Sequence, residues 1–139
     1  MGVRAVLLVL LALPADDLTS KDLQGTWKGA RFTEGTGDNA DKGVKVEFTF
    51  KDNTLIGKKE SGVPIGEATF TITDGKNIDA TGTAGGYRNK AYPGILKVEG
   101  DKMTWCVAGG GGKDQKRPTT FAANPGAAQY LIVLIKQKT

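Results

Sequence analysis

Catalysis needs a base, an activated nucleophile, a metal cage or a phosphate cradle, and the first of these is scarce here: the chain contains no histidine. That removes the commonest general base, the Ser-His and Cys-His nucleophile pairs and most zinc sites together. Carboxylates remain, but Glu47, Glu67 and Glu99 each fall on the polar register of an alternating segment and read as solvated. Cys106 is the single cysteine, so it closes no internal disulfide. Nothing cationic stands beside it to lower its pKa, and next to Trp105 in a strand it faces away from the indole. The run Gly109 to Lys113 fails as a phosphate loop, because Val107 stands where the first glycine belongs and Asp114 replaces the Ser/Thr. The acids between Glu34 and Gly43 miss a calcium loop, since Ala40 occupies the third ligand position. No catalytic residue, metal ligand or cofactor is expected. Lys113, Lys116 and Arg117 read as a solvated basic loop. Arg117, held by Pro118, is its ordered member, set to pair with a carboxylate or cap strand-end carbonyls.

The elements around these residues are short strands. Glycine is frequent, 20 of 139 residues, and is spaced between alternating segments. The clearest strand is the second, where Val44, Val46, Phe48 and Phe50 alternate with Lys45, Glu47, Thr49 and Lys51. The others run from Gly25 to Thr33, Thr54 to Glu60, Gly66 to Thr73, Asn77 to Thr81, Gly94 to Glu99, Lys102 to Val107 and Gln129 to Lys138. Asp52-Asn53, Asp74-Gly75 and Gly100-Asp101 supply hairpin turns. A short helix fits only at Asp16 to Asp22 or Ala122 to Ala128. Leu23-Gln24-Gly25-Thr26-Trp27 opens the first strand, and an apolar last strand returns to pair with it. Eight antiparallel strands then close into an up-and-down barrel.

Residues 1–15 carry one charge, Arg4, then an apolar run from Ala5 to Leu13, Pro14 and Ala15. This is the order of a secretory signal peptide, and the run is too short to span a bilayer, which takes about 20 residues. One domain, 16–139, follows. The address expected is secreted or periplasmic, and a lone cysteine suits a bacterial envelope protein that relies on packing. The formal charge of +4 is spread along the chain and gives no argument for nucleic acid.

Taken in order, Leu23-Gln24-Gly25-Thr26-Trp27, Gly100-Asp101-Lys102-Met103-Thr104-Trp105-Cys106, Arg117-Pro118-Thr119-Thr120-Phe121 and the final apolar strand resemble a known family. It is the lipocalin-like domain of unknown function common in planctomycete bacteria, and the likeness covers essentially all of 16–139. The resemblance implies an exported, antiparallel, calycin-type barrel with no established activity. It also implies that Gly25 and Trp27 close the barrel under a basic residue of the last strand. Lys136 is the nearest match where arginine is usual, and an ammonium covers an indole less well than a guanidinium.

An eight-stranded barrel is just wide enough to fill itself or to hold one small ligand. Both readings stand. A non-catalytic barrel would take up a small apolar or amphipathic molecule against Phe48, Phe70, Leu96 and Trp105, with the 34–43 loop as lid. Only 7% of residues are aromatic, and glycine fills no volume, which favours a cavity. The alternative is an envelope interaction or structural module with a packed interior and no ligand, meeting partners through the 109–118 loop and exposed strand edges.

Overall fold

A computed structural model describes residues 18–36, 43–109, 115–123 and 129–138. The expected leader, the middle of the 34–43 loop and most of the glycine run after Val107 lie outside these residues. The strands are β1 (Gly25–Phe32), β2 (Val44–Lys51), β3 (Thr54–Lys59), β4 (Pro64–Thr73), β5 (Asn77–Gly82), β6 (Ala91–Glu99), β7 (Lys102–Ala108) and β8 (Gln129–Lys136). Each pairs antiparallel with the next, and β1 also pairs with β8. The result is a closed up-and-down barrel of the lipocalin-like kind. Among the described residues no helix is long and apolar enough to cross a membrane.

Local chemistry accounts for most of this. On β2, Val46, Phe48 and Phe50 are buried while Lys45 and Lys51 are exposed, as the period of two requires; Val44, in phase with the buried set, is exposed because it is the first residue of the strand, at the open end. Asp74 and Gly75 take φ of 54° and 66°, the left-handed pair of a tight twisted hairpin, and the Lys76 N–H donates to the Thr73 carbonyl at 3.2 Å. Asp52 also has positive φ. Its turn is held by Gln24, whose side chain accepts the Asp52 N–H at 2.7 Å and donates to the Asp52 carbonyl at 3.0 Å. Strands β4 and β6 begin earlier than their alternation suggests, because Pro64 and Pro93 mask the strand signal. The N-terminal helix is a single 3-10 turn, Ser20–Leu23. Phe121 and Ala122 form a bend and Ala123 bridges Gly35, so no helix begins there, and the rest of the second candidate helix lies outside the described residues.

The floor is built where the chain enters β1. Gly25 has φ of 116°, which a side chain would strain, and two residues later Trp27 is 1% exposed. The indole N–H donates to the Leu23 carbonyl at 2.8 Å, so the buried ring leaves no polar atom unpaired. Lys136 lies directly opposite Trp27 across the β1–β8 seam, its ammonium 5.8 Å from the ring centroid. That distance is at the limit of a useful cation–π contact.

A second apolar layer lies outside the barrel. β8 turns Ile132 and Leu134 inward, and Leu131 and Val133 outward against Ala30, Phe32, Cys106 and Ala123. Residues 115–123 form a strap over this outer layer. Pro118 is fully buried, Phe121 lies beneath the Lys97 ammonium at 4.8 Å, and the Cys106 thiol donates to the Ala122 carbonyl at 3.4 Å. Ala123 and Gly35 exchange backbone bonds of 2.8 and 3.2 Å. At the other end, Arg117 pairs with Asp79 at 2.7 Å and donates to the Gly94 carbonyl at 2.9 Å. Arg117 and Pro118 therefore tie the strap to β5 and β6.

Truncating Trp27 to alanine should cost about 3–5 kcal/mol in urea unfolding, through the cavity it leaves. Lys136→Met, which keeps the apolar stem, should cost under about 1 kcal/mol. Burial pushes the Cys106 thiol above its ordinary pKa, so the wild-type protein should react slowly with iodoacetamide at mildly alkaline pH. Arg117→Ala frees one end of the strap and should speed that alkylation without unfolding the barrel. An unchanged rate would show that Arg117 does not hold the strap down.

Candidate ligand-binding site

The interior follows from Trp27 by counting in twos. Gly29 and Arg31 share its face of β1, and the register across the seam sets Arg31 opposite Ile132, which in turn faces Trp105 on β7. Four aromatic rings cross the lumen in the middle of the barrel. Phe48 meets Trp105 edge-on with centroids 5.5 Å apart, Phe50 meets Phe70 edge-on at 5.5 Å, and Phe50 lies 6.3 Å from Trp105. These strands are not neighbours in the sheet, so the rings form a plug across the barrel. On the side of Trp27, Leu23, Ile78, Leu96 and Met103 pack the interior solid.

Glycines make room for this plug. The Phe48 ring lies over Gly57, its cross-strand partner, in the space a side chain would need. At Gly94 a Cβ would stand 2.9 Å from the Trp105 indole nitrogen, closer than real contacts allow. The rings can therefore press close to the backbone where they cross the lumen.

Beyond the plug is a cavity of about 180 Å³. Phe48, Leu55, Ile65, Ala68, Ala80, Trp105, Val107 and Ile132 supply its apolar wall. Its rim is more polar. Tyr87 is brought over Gly66 by a 3-10 turn, Gly85–Tyr87, and joins Tyr92 with ring centroids 6.1 Å apart. The Arg31 guanidinium stands 5.3 Å over the Tyr130 ring. Burial, reinforced by the charges of Tyr87 and Tyr130, raises the Tyr92 pKa above its ordinary value. Two buried nitrogens among the described residues have no hydrogen-bond partner, Arg31 Nε and Trp105 Nε1, and both residues line this cavity.

Of the four residues expected to line a cavity, Phe48 and Trp105 do so. Phe70 is part of the plug, against Phe50, and Leu96 lies in the packed floor, so neither borders the open space. Their strands do face inward, but the alternation carries no information on depth along the barrel axis. Gly25, Trp27 and Lys136 meet at the floor, and Arg117 and Pro118 lie on the outer wall. Arg31 was legible by counting from Trp27, and Tyr130 by counting back from Lys136. Tyr87 sits in a loop and gave no such signal.

Glu47 bridges Lys58 at 3.3 Å and Lys28 at 3.7 Å on the outer surface, and among the described residues Glu67 is the single acid in the cavity lining. Among the described residues no group of three histidine, cysteine or acidic side chains could hold a metal. No family model, curated protein or solved structure matches the chain.

The raised Tyr92 pKa fixes the sign of an alkaline effect. Because the phenol ionises later in the folded state than in the unfolded chain, its contribution is intact below pH ~10 and fades as pH rises through the folded value. A phenolate absorbance titration should show one late-ionising tyrosine that Tyr92→Phe removes. The variant should also lose stability less steeply at alkaline pH.

Proposed function

We propose that this protein is an exported, non-catalytic container for a small apolar or amphipathic molecule, of the lipocalin-like kind its motif order resembles. The observation that carries this reading is the apolar cavity of about 180 Å³ above the aromatic plug. An engineered cavity of about 150 Å³ with apolar walls binds benzene, so this space suits a single ring or a short chain. Binding would come from desolvation at roughly 25 cal/mol per Å² buried, with the tyrosines and Arg31 at the rim setting orientation. Export rests on the order of residues 1–15, a basic start, an apolar run and small residues. The absence of catalysis rests on the chain's lack of histidine, on Glu47 being engaged by Lys28 and Lys58, and on Glu67 facing outward on β4.

Native mass spectrometry of protein purified from an exporting host tests the reading. A bound small molecule should appear as a discrete mass increment that solvent extraction removes. Ala68→Leu fills the open space from a half-buried wall position and should abolish the increment while keeping the melting temperature within a few degrees. Wild-type protein free of any increment, and binding no small apolar probe, would favour the envelope module without a ligand.

A further inference from the structure

We propose that Arg31 makes the cavity selective for small amphipathic anions, carboxylates above all; this rests on the container reading. An arginine is always charged, and turning one into a barrel is costly unless something pairs with it. Arg31 occupies an inward position of β1, between Val44 and Ile132 in register, where an aliphatic side chain would serve packing better. Among the described residues it forms no ion pair, and its Nε is buried without an acceptor. Among the described residues its close partner is the Tyr130 ring, which lies 5.3 Å from the guanidinium and supplies no anion.

Nor do the described residues of the wall turn an anion into the cavity. Glu67, its single acid, shares its register with the exposed Ile56, on the outward face of β4. The other polar side chains among the described residues of the wall are Tyr87, Tyr92 and Tyr130, with Tyr92 held in its neutral form, and the Trp105 indole, whose unpartnered N–H is a donor and supplies no negative charge. The cavity thus joins an apolar interior to one unpaired permanent cation. That is the complement of a molecule with an apolar body and one anionic end. A carboxylate suits a guanidinium best, because its two oxygens accept two parallel N–H bonds. The volume limits the body to roughly six to eight carbons, a phenyl ring or a short acyl chain. Retaining a cation that packing does not need is the kind of local inconsistency found at binding sites.

Calorimetric titration with octanoate and with 1-octanol, two probes of one shape and different charge, tests the assignment. The wild-type protein should bind octanoate about tenfold or more tightly than the alcohol, the usual worth of a charge-assisted bond. Arg31→Met keeps the apolar stem and should erase this preference, leaving the affinity for 1-octanol within about threefold. In the wild-type protein, octanoate and not octanol should shift the Arg31 Nε–H resonance, which needs no variant to fold. Equal affinities for the two probes, or a preference that survives in Arg31→Met, would overturn the role of Arg31 and leave the container standing. Failure of both probes to bind would remove the container and this selectivity with it.

Discussion

The pairing of β1 with β8 is the constraint on which the molecule depends. Without it the sheet would be an open ribbon with two unpaired edges, exposed to other chains. With it, every strand has two neighbours and a lumen exists. The seam is secured at its floor by Trp27, buried, satisfied through Leu23 and facing Lys136. The Trp27 ring is worth far more than the ammonium above it. Burial of a large side chain outweighs a cation–π contact at the limit of its range by several-fold.

Closure creates a volume that the side chains fill unevenly. The rings of Phe48, Phe50, Phe70 and Trp105 span the lumen and separate a packed floor from an open mouth. The same glycines that let these rings approach the wall contribute no bulk of their own. At the mouth, other glycines, Gly66, Gly82 and Gly109, line the space and likewise add no bulk. A single barrel in this way combines a stable core with a site, and it keeps the rigid part distinct from the part that can receive a guest.

The outside of the barrel solves a different problem. A strand apolar on both faces would leave half its residues in water, and β8 is such a strand. The strap from Gln115 to Ala123 covers its outer face and joins three regions far apart in sequence: Asp79 on β5, Cys106 on β7 and Gly35 after β1. A thiol buried beneath such a cover, with its pKa raised, is a packing residue. The strap gives the basic loop a structural purpose at its Arg117 end.

Alternation, turn residues and the Gly25-Thr26-Trp27 entry were enough to determine eight strands, their antiparallel order and closure, because the strands depend on local period and the hairpin turns after β2, β4 and β6 leave their neighbours no other order. Inward and outward faces were legible for the same reason, and with them Arg31 and Tyr130, had the count been carried along β1 and β8. Depth within the lumen was not. Phe70 and Phe48 have identical local signatures, yet one lies in the plug against Phe50 and the other borders the cavity. Strand tilt and register decide this, and they are set by all eight strands together. The strap over β8, the place of Tyr87 at the rim and the burial of the Arg31 Nε without a partner among the described residues likewise arise only when distant segments meet. A residue's type and period follow from its neighbours in the chain, whereas what it touches across a closed barrel follows from the closure itself.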